Sequence, residues 1–139
     1  MNDFQTTPFV GVIDLLGRVE VTDGGGAPIA VADGLDQAAT MLRAATSAGR
    51  TVMFIGNGAS ESIASHMAAD ALKNGKLRAL AFTDASLLTC VGNDLGYDRV
   101  FAEPISTLGK SGDVLVAISS SGASPNIVAA VEAASASAV

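Results

Sequence analysis

Apolar positions along the chain fall into blocks with two different periods. Phe9, Val10, Val12, Ile13, Leu15, Leu16 and Val19 form a helical stripe behind Pro8, interrupted by Gly11 and Gly17. Asp23-Gly24-Gly25-Gly26 reads as a loop. Leu35, Ala38, Ala39, Leu42 and Ala45 recur at helical spacing and predict a helix over 30–48, stopped by Gly49. Thr51-Val52-Met53-Phe54-Ile55 then breaks the helical period. It is short, continuous and rich in β-branched and aromatic residues, the pattern of a strand covered on both faces.

The same alternation continues toward the C-terminus. Gly56-Asn57-Gly58-Ala59-Ser60 is a turn, followed by a helix over 61–73 that Asn74-Gly75 closes. A second strand is expected over 77–82, then a turn at Thr83-Asp84-Ala85-Ser86 and a short helix over 87–91. Gly92-Asn93-Asp94 reads as a break. The pattern of 97–108 is helical, with Pro104 expected to kink or shorten it. Asp113-Val114-Leu115-Val116-Ala117-Ile118 is the clearest strand, and a helix over at least 125–134 follows it. Alternating strands and helices predict an α/β fold, a parallel sheet with helices on both faces. The tail 133–139 is small and apolar with no capping residue, so the helix looks cut off, as if the domain were truncated at its C-terminus.

Composition narrows the function classes. The chain has 139 residues, suiting one domain over 1–139, with N-terminal helices in 8–48 and an α/β part in 49–139. At 49% hydrophobic and 16% charged it has material for a core, built from aliphatic residues because Trp is absent. The net charge of −6 argues against nucleic acid as a direct partner. It leaves room for a small phosphorylated ligand, since a local site can oppose the global field. One cysteine, Cys90, excludes an internal disulfide and fits a reducing compartment; in an apolar helix it reads as a small core residue. No apolar run approaches a membrane span, and Met1-Asn2-Asp3-Phe4 lacks a basic leader, so the cytoplasm is the expected location.

Chemistry concentrates at strand-to-helix turns. Ile118-Ser119-Ser120-Ser121-Gly122-Ala123-Ser124-Pro125-Asn126 follows the clearest strand and opens a helix. Open α/β sheets bind ligands at that end. Backbone N–H groups, the positive helix end and the hydroxyls of Ser119, Ser120, Ser121 and Ser124 make a phosphate cradle without a lysine. Gly56-Asn57-Gly58-Ala59-Ser60 occupies the equivalent place after the earlier strand. His66 and Asp70 share a helical face at i, i+4. Such a pair could hold a metal or share a proton, but spacing alone favours an ordinary surface ion pair. Asp94 could orient a sugar hydroxyl or cap the next helix. Glu61 sits in the first turn of its helix, where its charge suits the dipole but would repel a nearby anion.

These motifs in this order resemble the phosphoheptose (sedoheptulose 7-phosphate) isomerases, a family of SIS-domain proteins: Gly56-Asn57-Gly58-Ala59-Ser60, His66-Met67-Ala68-Ala69-Asp70, Val91-Gly92-Asn93-Asp94-Leu95-Gly96-Tyr97, and Gly112-Asp113-Val114-Leu115 running into the Ser-rich loop. The similarity runs from about Gly49 to Ala134. It implies a flavodoxin-like sheet in a homotetramer with sites at subunit interfaces. It implies that Ser119, Ser120, Ser121 and Ser124 bind the sugar phosphate, that Asn57, Gly58 and Ser60 line the site, and that Asp94 contacts the sugar. The implied reaction converts a ketose phosphate to an aldose phosphate through an enediol. A glutamate of the family, matched here by the shorter Asp70, moves the proton; its histidine partner lies on a C-terminal helix beyond the matched region. His66 matches a position seen as a zinc ligand, so zinc at His66 and Asp70 is implied. The missing histidine and the Asp70 replacement point to an alternative, a non-catalytic phosphosugar-binding or protein-interaction module.

Overall fold

A computed structural model describes the backbone of residues 7–139 and side chains from Gly11 onward. The leader reading at Met1-Asn2-Asp3-Phe4, like the side chains of Pro8, Phe9 and Val10, lies outside the described residues. The chain divides into two compact units, one ending at Met41 and one spanning Leu42–Val139.

In the first unit, α1 (Thr7–Leu16) forms as its apolar stripe predicts, and Val12, Ile13, Leu15 and Leu16 stay exposed. The Asp23–Gly26 loop turns out to be the tip of a minimal antiparallel hairpin, β1 (Val21–Thr22) with β2 (Pro28–Ile29). Asp23 makes the turn: its Oδ1 accepts the N–H groups of Gly25 and Ala27 at 2.8 and 2.9 Å. Strands of two residues have no alternation to read, so the sequence shows only the turn. Helix α2 (Val31–Ser47) begins here and continues into the second unit. It ends in a Schellman turn, with Gly49 at φ +74, Gly49 N–H donating to Thr46 O and Arg50 N–H to Ala45 O.

The second unit holds β3 (Val52–Gly56), α3 (Ala59–Lys73), β4 (Ala79–Ala81), α4 (Ala85–Asp94), a 3₁₀ turn (Tyr97–Arg99), α5 (Ala102–Leu108), β5 (Val114–Ile118) and α6 (Pro125–Ala136). The three strands form a parallel sheet in the order β4-β3-β5. Every residue of β3 is buried, and its side chains alternate between two cores. Met53 and Ile55 pack with Phe82, Val91, Val100, Phe101, Ile105, Ile127 and Ala130, from the α4–α6 side. Val52 and Phe54 pack with Ala64 and Ala68 of α3, Ala79 of β4 and Leu42 of α2. Helices therefore cover both faces, as the sequence predicts. Buried Asp113 ties the two longer strands together at their start, accepting Thr51 N–H at 2.8 Å and Lys110 N–H at 2.9 Å.

Several boundaries move. β4 is three residues rather than the six of 77–82. Helix α4 runs through Gly92-Asn93-Asp94, where the sequence suggests a break; Asp84 starts it two residues earlier by accepting Leu87 N–H at 2.9 Å. Cys90 lies on the exposed side of α4 instead of in the core. The segment 97–108 is a 3₁₀ turn and a separate helix; Pro104 sits in the first turn of α5, where its missing N–H breaks no helical bond. Helix α6 does not run out uncapped. It closes in a second Schellman turn, with Ala138 at φ +56 and Val139 N–H donating to Ala134 O at 2.9 Å.

Candidate functional site

The register of the sheet builds the site. Gly56, last in β3, pairs with Ile118, last in β5. The loops that leave these strands, one starting at Asn57 and the other at Ser119, therefore begin side by side, about 5 Å apart. Each leads straight into a helix, α3 and α6, so two positive helix ends converge on one edge of the sheet. Gly56 is required by the close approach of the turn to its strand. A Cβ there would lie 2.5 Å from the Ser60 carbonyl carbon and 2.8 Å from the Glu61 nitrogen.

The Ser-rich loop is folded on itself by its own hydroxyls. Ser119 Oγ accepts Gly122 N–H at 3.1 Å and Ser121 Oγ accepts Ala123 N–H at 3.2 Å. Ser121 and Ser124 hydroxyls face each other at 3.5 Å. Ser124 occupies the N-cap position of α6, as its place before Pro125 predicts, but makes no side-chain capping bond. Its hydroxyl is turned toward the loop. Ser120 and Ser121 are exposed, and Ser119 and Ser124 are half-buried. The arrangement offers hydroxyls and a helix terminus to an anion with no cation among them.

The two loops are joined by side chains. Asn57 Nδ2 donates to Asn126 Oδ1 at 2.9 Å, and Asn126 Nδ2 donates to Asn57 Oδ1 at 2.8 Å. The Tyr97 hydroxyl also reaches Asn57 Oδ1, at 3.4 Å. Asn126 stands in the sequence motif but has no role there, and Tyr97 likewise. The link is tertiary, between residues 69 positions apart, and no local pattern announces it. Gly58 precedes α3 as its N-cap, and Ser60 N–H donates back to Asn57 O at 3.0 Å. These residues of the prediction are brought together.

The others are placed apart. His66 and Asp70 do pair, Nε2 to Oδ2 at 3.3 Å, with side chains 76% and 48% exposed. Asn74 Nδ2 donates to the other Asp70 oxygen at 3.1 Å. Asp70 lies ten residues beyond Ser60 on one helix, roughly 15 Å along its axis from the loop mouth. Asp94 ends α4 and does not cap the following turn; its carboxylate accepts from Asn93 Nδ2 at 2.7 Å and the Cys90 thiol at 3.6 Å. Glu61 in the first turn of α3 accepts the Ser65 hydroxyl at 2.5 Å, and its second oxygen is buried without a partner.

Zinc does not fit these residues alone. His66 and Asp70 supply two donors, a zinc site takes at least three from protein, and no group of three or more potential metal-binding side chains occurs among the described residues. A groove of about 240 Å³ lies elsewhere, between α3 and β4, lined by Ser65, Ala68, Leu72, Leu80 and Thr83, and it includes none of the predicted site residues.

Comparison with known proteins identifies the family and the fold. The family model for the SIS domain matches residues 29–139. A phosphoheptose isomerase of Nitratidesulfovibrio vulgaris is 43% identical over 109 residues, covering 74% of this chain and 52% of the relative. One of Akkermansia muciniphila is 41% identical over 118 residues, covering 81% and 62%. The chain thus spans about half the length of the curated relatives it matches. Among solved structures, the phosphoheptose isomerase GmhA of Neisseria gonorrhoeae superposes with a TM-score of 0.71 at 41% identity, over 74% of this chain and 56% of that one. A phosphoheptose isomerase of Francisella tularensis superposes with a TM-score of 0.80 at 29% identity, over 99% and 71%.

Proposed function

The chain belongs to the SIS-domain family, and we propose that it is the phosphosugar-binding part of an isomerase that converts sedoheptulose 7-phosphate to D-glycero-D-manno-heptose 7-phosphate. One observation carries the reading: the Ser119–Ser124 loop and the Asn57–Ser60 loop, at the ends of adjacent parallel strands, are joined into a single mouth by the Asn57–Asn126 pair. The phosphate lies on the loop hydroxyls and the α6 terminus, where an anion is stabilised by N–H groups and helix dipole. The sugar extends past Asn57. The names of the similar proteins support the same chemistry.

The reaction moves a proton between adjacent carbons through an enediol. Asp70 is the carboxylate for that step by its match to the family glutamate. Its place down α3 argues that it serves a mouth on another copy of the chain, in a homotetramer of the cytoplasm with sites between subunits. Asp94 contacts the sugar. No step is assigned to a metal.

A second reading, phosphosugar binding without turnover, is favoured by the exposed His66–Asp70 pair and its distance from the loops. A calorimetric titration with sedoheptulose 7-phosphate, with inorganic phosphate as control, followed by a ketose–aldose assay, separates the readings. Selective binding with turnover supports the isomerase, and selective binding without turnover supports the module. Equal affinity for both ligands, or none, removes the phosphosugar reading.

A further inference from the structure

Asn57 and Asn126 form a reciprocal amide pair at 2.9 and 2.8 Å. Each primary amide has one oxygen with two lone pairs and two N–H donors. A reciprocal pair uses the oxygen of each amide and the N–H on the same side, so the second N–H of each points away from the ring. The exposed Tyr97 hydroxyl makes a long contact to Asn57 Oδ1 at 3.4 Å. Asn126 is only 3% exposed, while Asn57 is half-buried at the mouth between the loops. Asn57 is left with one unspent donor.

Building on the phosphosugar reading above, we infer that Asn126 is a positioning residue: it holds the Asn57 amide so that a single N–H donor is presented to an oxygen of the sugar whose phosphate rests on the Ser119–Ser124 loop. A donor fixed in place by the reciprocal pair needs no reorganisation when charge builds on a carbonyl or enediolate oxygen. Free phosphate reaches the serine loop alone, whose own folding runs through Ser119, Ser121 and their neighbours' N–H groups. Phosphate therefore gains nothing from the pair.

Calorimetric titrations of the chain, Asn126→Ala and Asn126→Asp with sedoheptulose 7-phosphate and with inorganic phosphate test this. Asn126→Ala is expected to weaken phosphosugar binding on the order of 10-fold and phosphate binding less than about 2-fold. Asn126→Asp keeps an acceptor for Asn57 Nδ2 but sets an oxygen against Asn57 Oδ1, so it should lose at least as much selectivity as Ala. Equal weakening of both ligands, or no weakening, overturns the inference. NMR of the unsubstituted chain needs no variant to fold. One side-chain amide proton of Asn57 and one of Asn126 should be protected from exchange. The second Asn57 proton should shift on adding the phosphosugar and stay still with phosphate. Free exchange of all four protons, or an Asn57 proton that ignores the phosphosugar, overturns it as well. If the unsubstituted chain binds no phosphosugar, the functional reading itself fails; intact binding in Asn126→Ala removes only the positioning role.

Discussion

At the scale of single residues, two N-caps that look alike in sequence behave differently. Asp84 accepts Leu87 N–H and makes a working cap for α4. Ser124 holds the equivalent place before α6 and makes no capping bond. Asp84→Ala should therefore cost about 1 kcal/mol of stability. Ser124→Ala should change stability by less than about 0.5 kcal/mol yet weaken phosphate binding by about 0.5–1.5 kcal/mol. Urea denaturation and phosphate titration of the two variants check the contrast; a large stability loss in Ser124→Ala would show that its hydroxyl caps the helix after all. The serine loop was legible because several hydroxyls stood together at a strand end, which is a local property. Asn126 was not legible as a partner of Asn57, because its role depends on which strands are neighbours.

Elements were legible where their apolar period was long enough to measure. β3, β5, α2, α3 and α6 fall within a few residues of their expected places, since each shows a continuous run or a helical stripe. The β1–β2 hairpin and the division of 97–108 had no such signal, and Gly92 misled because a helix tolerates one glycine when Val91 beside it is buried. Helix ends carry a prediction of their own. α2 and α6 close in the same Schellman geometry, but one has Gly49 at the left-handed position and the other Ala138. A Cβ at Gly49 would meet nothing within 4 Å, so only backbone strain opposes it. Gly49→Ala is expected to lose about 1 kcal/mol and Ala138→Gly to gain a similar amount. Thermal unfolding of the pair tests this, and shifts of the same sign would mean that the two turns are not equivalent.

For the molecule as a whole, the order of motifs made the parallel sheet and its ligand edge predictable, because strands that alternate with helices leave few arrangements. A sheet of about three strands is also expected to leave an edge open to other chains, and the site-bearing strand lies at that edge. Among the described residues β5 pairs only with β3, its residues are no more than half-buried, and Ala117 is exposed. An unpaired edge offers N–H and C=O groups to another chain, and charged residues are the usual protection. β5 has none between Val114 and Ile118. These 139 residues on their own should therefore self-associate as their concentration rises, which sedimentation velocity would detect. Ala117→Lys should lower that association while leaving the β3–β5 register intact. The same strand delivers the Ser119–Ser124 loop, so pairing at its edge and order in the loop should be linked. A phosphosugar that binds the ordered loop should raise the unfolding temperature by mass action, and by more in the wild-type chain at high concentration than in Ala117→Lys. A chain that stays monomeric across the whole concentration range, with the same ligand-induced shift in both forms, would show that the β5 edge is already satisfied and the loop is ordered without help.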